Sequence, residues 1–220
     1  MFVLLKSSIG KKILMAVSSI FLMFFLLQHF IINFISVIDS NIFNILSHFM
    51  GTNPFVQFIL QPVLLAGVLF HFTLGFYLEY KNNQATKYNY NKFLPNSNST
   101  WMSRNMIFSG LVILSFLLLH FYDFWVPEIN YKYIQALPEN PNRYYEELIH
   151  KFENPIRVFL YCFSFLLLSL HLSHGFSSAL KSLGTKSNYI NSMKSIKFLF
   201  IIIIPFGFCF IAIFHHINNL

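Results

Sequence analysis

Histidines are the residues of this sequence best suited to chemistry, and the nine of them sort by position. His29, His71, His120 and His171 stand deep inside four separate apolar blocks. His174 follows His171 by one helical turn, His48 and His150 lie in polar connections, and His215 and His216 close the last apolar block. An ionisable side chain at membrane depth is costly and marks function by default. His29 lies 17 residues after Lys12 and His120 lies 16 after Arg104. At about 1.5 Å per helical residue, both are roughly 25 Å from that boundary. His71 precedes Lys81 by 10 residues and His171 precedes Lys181 by 10, which sets both roughly 15 Å in. Helices of alternating direction therefore deliver two histidines at each of two depths, about 10 Å apart.

Two neutral imidazoles facing each other across a helical bundle can fill both axial positions of a haem iron. Each ring then needs a partner on its other nitrogen to fix its tautomer. Filling both positions leaves no place for oxygen, so the expected chemistry is electron transfer, with two stacked haems carrying it across part of the bilayer. The competing role for each histidine is a hydrogen bond to a neighbouring helix. His174 lies about 10 Å from the boundary and is expected to touch a haem edge or a loop rather than the iron. Gly67, Gly75, Gly110 and Gly175 provide either space for a flat macrocycle or close helix contact. Arg104, Ser8, Lys12 and Lys181 are candidate propionate partners. Glu79 and Asp123 are the deepest carboxylates, both at helix ends, so a proton relay through buried acids is not expected. Cys162 and Cys209 fall inside apolar blocks and read as small buried hydrophobes. The chain has no cysteine set for an iron–sulfur cluster and no flavin fingerprint.

The elements that must position these residues follow from composition. Of 220 residues, 55% are hydrophobic and 10% charged, where a soluble domain carries about a quarter charged. The apolar residues fall in blocks at about 13–38, 55–78, 106–125, 158–180 and 198–214, each close to the roughly 20 residues that cross a bilayer. Lipid leaves no partner for open backbone groups, so each must be helical. The predicted fold is all-α: one domain of five transmembrane helices, the first four forming a haem-binding core. Shorter interfacial helices are expected at Asn41 to Met50 and Tyr144 to Phe152, the latter within the largest connection, Pro127 to Pro155. Eleven of the 15 basic residues fall on the side of the N-terminus and four on the other. The positive-inside rule then puts the N-terminus in the cytoplasm and explains the net charge of +7 without nucleic acid. No internal repeat or low-complexity tract is evident.

Certain stretches carry a family likeness. They are Ser7-Ser8-Ile9-Gly10-Lys11-Lys12, Leu27-Gln28-His29-Phe30, Asn44-Ile45-Leu46-Ser47-His48-Phe49-Met50, Phe70-His71-Phe72, Leu119-His120-Phe121 and His171-Leu172-Ser173-His174-Gly175-Phe176. In this order they resemble the two-haem, single-subunit membrane anchor of succinate dehydrogenase or fumarate reductase. The resemblance implies two b-type haems, with His29 and His120 as axial ligands of the distal one and His71 and His171 of the proximal one. It selects His171 over His174 through a His, any, small, any, Gly pattern. It implies a flavoprotein subunit and an iron–sulfur subunit as partners, with quinone, menaquinone being the expected type, as redox substrate near the distal pair. His48, Gln57 and Gln61 are the polar candidates in that region. It also implies a bacterial inner membrane location with a periplasmic C-terminus, and an electron-transfer subunit that performs no dicarboxylate chemistry itself. The alternatives are a di-haem cytochrome b of a nitrate reductase or hydrogenase, which generally carries two ligand histidines on one helix, and a haem-free transporter, which calls for broken helices or polar stripes.

Overall fold

The computed structural model describes residues 7–86 and 106–218. Lys6, Lys87, Lys92 and Arg104, counted above among the basic residues, lie outside the described residues. Seven helices are labelled in chain order: α1 (Ser8–Ile38), α2 (Ser40–Thr52), α3 (Val56–Asn82), α4 (Met106–Ile134), α5 (Arg143–Phe152), α6 (Pro155–Ser182) and α7 (Lys194–Ile217). The five helices other than α2 and α5 are long and apolar enough to cross a membrane. The chain is an all-α, multi-pass membrane protein. The short α2 and α5 stand where interfacial helices are expected, at the end of the bundle opposite the N-terminus, called here the far end.

Short polar side chains set the helix starts. Ser7 accepts from Gly10 N–H at 2.9 Å, and Asp39 caps α2 through the N–H groups of Asn41 and Ile42 at 2.8 and 3.0 Å. Asn53 accepts from Phe55 and Val56 at 3.0 and 3.3 Å where α3 begins. Asn154 caps α6, with Pro155 in its first turn. Each satisfies N–H groups that have no partner within the helix. Gly184, at φ 84°, ends α6 in the left-handed conformation that glycine adopts without strain.

Three spans carry a proline in their interior, where the missing N–H and the ring would normally break an α-helix. Each is preceded by a π turn. Gln61 N–H bonds the Val56 carbonyl before Pro62, Val126 N–H bonds the Phe121 carbonyl before Pro127, and Ile204 N–H bonds the Leu199 carbonyl before Pro205. The extra residue in the turn shifts the hydrogen-bond register just ahead of the residue that cannot donate. Helix α4 therefore continues through Pro127 to Ile134 rather than ending near Trp125. The connection that follows is shorter than expected, beginning at Gln135.

Helix α6 packs on α1, α4 and α7, and α1 also packs on α3 and α7, whereas α3 and α4 meet only sparsely. Only 6% of the most apolar stretch of α3 and of α4 is buried, against 33% in α6 and α7. The packed core lies on the α6–α7 side, where Phe165 stacks on Phe208 with centroids at 5.1 Å. Between α1, α3, α4 and α6 a space is left open.

Candidate functional site

That space is a cavity of about 840 Å³, and His29, His71, His120 and His171 all line it. It runs from Lys12, Glu79 and Ser182 at the N-terminal end to Gln57, Gln61 and Glu128 at the far end. His174 is not part of the lining. Gly75, Gly110 and Gly175 line the cavity. A Cβ on Gly110 would meet His171 Cε1 at 3.9 Å. Gly67 is different: a Cβ there would meet Phe21 at 2.7 Å, so this glycine serves the contact of α3 with α1. Of the propionate-partner candidates, Lys12 lines the cavity; Arg104 lies outside the described residues.

The structure brings the four histidines together in two pairs. His71 on α3 and His171 on α6 face each other with ring centroids 6.5 Å apart and planes at 69°. Ser18 Oγ lies 3.1 Å from His71 Nδ1, and Ser109 Oγ lies 3.1 Å from His171 Nδ1. Both hydroxyls already donate their only proton, Ser18 to the Met15 carbonyl and Ser109 to the Met106 carbonyl, each at 2.9 Å. Each oxygen is therefore the acceptor, and each imidazole donates through Nδ1–H. That fixes both rings as the Nδ1–H tautomer, with the bare Nε2 lone pair left for a ligand.

His29 on α1 and His120 on α4 form the second pair, with centroids at 5.7 Å and planes at 86°. Here aromatic rings do the holding. Phe25 stacks on His29 at 5.5 Å and Phe208 lies at 5.8 Å. Phe116, Phe124 and Tyr161 surround His120 at 5.8, 5.1 and 6.3 Å. Asn33 Nδ2 is 3.4 Å from both ring nitrogens of His29, but its short bond, 2.8 Å, goes to the His29 carbonyl. His120 Nδ1 is buried and has no hydrogen-bond partner among the described residues.

Two polar clusters flank the second pair. In the first, the Asp123 carboxylate is fully buried, accepts from Tyr161 O–H at 2.8 Å and pairs with Arg157 Nη1 at 2.8 Å. In the second, at the far end, Glu128 pairs with Arg143 and Lys132, and Arg143 also holds Glu147 at 2.6 Å. The Gly51 carbonyl accepts from Lys132 and Gln57, and Gln61 Nε2 donates to the Met50 carbonyl at 3.3 Å. The Arg143 guanidinium lies 4.1 Å over Tyr131 and 4.4 Å over Tyr144. Burial works against the Arg143 charge, but Glu128 and Glu147 outweigh it and hold the group above its ordinary value. Burial, with Glu128 alongside, pushes the Tyr144 phenol up to about 12. His48 stands 6.1 Å from Tyr144, in the same neighbourhood as Gln57 and Gln61.

The remaining histidines have structural partners. His150 is exposed and bonded to Glu153 at 3.0 Å. His216 donates through Nδ1–H to the Phe152 carbonyl at 2.8 Å. His215, at the close of the last apolar block, is fully buried, 2.8 Å from Ser36 Oγ. Cys162 and Cys209 lie together across α6 and α7, each thiol donating to the other's carbonyl at 3.9 and 3.7 Å.

Sequence reasoning did not find Ser18, Ser109, Tyr161 or the Glu128 cluster. Serine is common in membrane helices, and only the partner across the helix contact gives it a role. No cluster of three or more His, Cys, Asp or Glu side chains that could hold a metal ion by themselves occurs among the described residues. The arrangement supplies two nitrogens at each of two levels. Compared with protein families, with curated proteins and with solved structures, the chain matches none.

Proposed function

We propose that this chain is a di-haem cytochrome b, the membrane anchor of a succinate:quinone oxidoreductase of the succinate dehydrogenase or fumarate reductase kind. The observation that carries the reading is the His71–His171 pair. A metal–imidazole bond is about 2.0 Å and a ring centroid lies about 1.2 Å behind its nitrogen, so two imidazoles on one metal hold their centroids about 6.4 Å apart. The 6.5 Å between the rings of His71 and His171 fits, and both rings already present the tautomer that a metal requires. The His29–His120 separation of 5.7 Å is smaller by less than 1 Å, which side-chain rotation in a cavity of this size accommodates. Two nitrogens per level suit a metal whose other ligands come from a macrocycle. The cavity volume lies within the range of about 300–1,000 Å³ usual for ligand sites.

His71 and His171 would hold one b-type haem and His29 and His120 the other. Bound there, haem supplies a reversible one-electron couple at an iron with no free position. The chain's own residues fix the tautomers of His71 and His171 through Ser18 and Ser109 and exclude water from the other level with Phe25, Phe116, Phe124 and Phe208. The basic end of the bundle is read as cytoplasmic and as the docking face for the flavoprotein and iron–sulfur subunits. Quinone would react at the far end, where Gln57, Gln61 and Glu128 line the cavity beside the His29–His120 pair. A pyridine haemochrome assay on the purified chain tests the proposal. Two haems per chain are expected; none ends the reading, and one removes a pair.

A further inference from the structure

We propose that Asp123 is a positioning and charge-setting residue for the His29–His120 level of the cavity, acting through Tyr161 and balanced by Arg157; this rests on the haem reading above. A π turn, Phe121–Trp125, opens immediately after His120. Such turns cluster at functional sites. In this one the carboxylate of Asp123 is carried into the contact of α4 with α6, where it is buried completely. An ion placed in a membrane interior must be compensated, and here the two compensating groups are unlike. Arg157 is 28% exposed and reaches Asp123 Oδ1 from the far end. Tyr161 donates to Oδ2 from the opposite side, and its ring forms the wall beside His120. Tyr161 also meets Phe116 edge-on at 5.0 Å and Phe152 at 5.3 Å, so the hydroxyl bond to Asp123 sets the rotation of a ring on which three aromatic neighbours depend.

The charges in this group are arranged unevenly with respect to the cavity. The carboxylate is dry and its field is little screened, whereas the guanidinium is partly solvated and its field is weakened. The net effect at the His29–His120 level is negative and opposes the arrival of an electron. Asp123→Asn keeps an acceptor for Tyr161 and removes only the charge, leaving Arg157 unbalanced. Arg157→Gln leaves the carboxylate unbalanced.

Redox titration of the full-length protein, followed at the haem absorption bands, tests this. The couple of the His29–His120 level is identified as the one missing from His29→Ala. In Asp123→Asn its equilibrium constant for reduction is expected to rise on the order of tenfold, which is 59 mV for a one-electron couple, while the other couple changes less than about twofold. In Arg157→Gln the same couple must not rise. No rise in Asp123→Asn, an equal rise at both levels, or a rise in Arg157→Gln overturns the proposal. If Asp123→Asn does not accumulate, Arg157→Gln decides alone, and only a fall supports the assignment. A haem count of zero overturns the parent reading and this one with it; two haems with an unmoved couple overturn this one only.

Discussion

Hydroxyls hold the His71–His171 pair and aromatic rings hold the His29–His120 pair, although both line one cavity. In the first pair each Nδ1–H is bonded to a serine whose own proton is committed elsewhere. Tautomer and ring rotation are thus set before any ligand arrives. In the second pair the rings are packed but not bonded: His120 Nδ1 has no partner among the described residues and Asn33 favours the backbone. Packing fixes where a ring lies, while a directed hydrogen bond also fixes which nitrogen carries the proton. The first pair is therefore the more fully prepared, and the second depends on Phe25, Phe116, Phe124 and Phe208 keeping their places.

Removing one of the four histidines breaks the comparison most severely. His29→Ala or His120→Ala should abolish quinone-linked succinate oxidation in the assembled complex and leave reduction of an artificial soluble acceptor largely intact. Both activities are measured on the same membranes, with immunoblots of all subunits. Full quinone-linked activity in a variant shown to lack that haem would remove the electron path proposed here. At the other level, His171→Ala should lower the haem count from two to one, while His174→Ala keeps both. Reduced-minus-oxidised spectra of the two variants decide, and loss confined to the His174 variant would reverse the assignment.

Smaller changes sharpen the contrast. Ser18→Ala and Ser109→Ala remove the Nδ1 partners of His71 and His171 and should weaken haem retention at that level by about 10–100-fold. Competition with apo-myoglobin measures the loss. Asn33→Ala, which takes away a group bonded mainly to backbone, should weaken retention at the other level by less than about threefold. Equal effects at the two levels would show that the serines act only as packing.

The helices were legible because their apolar blocks match the bilayer in length, and the histidine levels because helical rise turns sequence distance into depth. The same counting placed Asp123 at a helix end. It did so because the apolar block ends near Trp125, whereas the helix runs on through the π turn and Pro127 to Ile134 and buries the carboxylate against α6. A proline inside an apolar block, as at Pro62 and Pro205, or just past one, as at Pro127, is the signal that a count of apolar residues passes over. Ser18 and Ser109 were not legible for another reason: their role exists only between helices, and nothing within 50 residues of chain announces it.

Ser18 precedes His29 by 11 residues, and Ser109 precedes His120 by the same 11. Eleven residues are close to three full turns, so on α1 and on α4 the hydroxyl and the histidine share one face. Helix α1 lends its serine to His71 of α3, and α4 lends its serine to His171 of α6. The core is thus two equivalent hairpins, α1 with α3 and α4 with α6, each contributing one histidine to each level and one serine to the His71–His171 level. This is the arrangement of a two-fold dimer written into a single chain. The two members of each pair are quasi-equivalent positions. What separates left from right is α7, the unmatched fifth span, which lays Phe208 against His29, together with the Asp123–Tyr161 bond, which borders His120 alone.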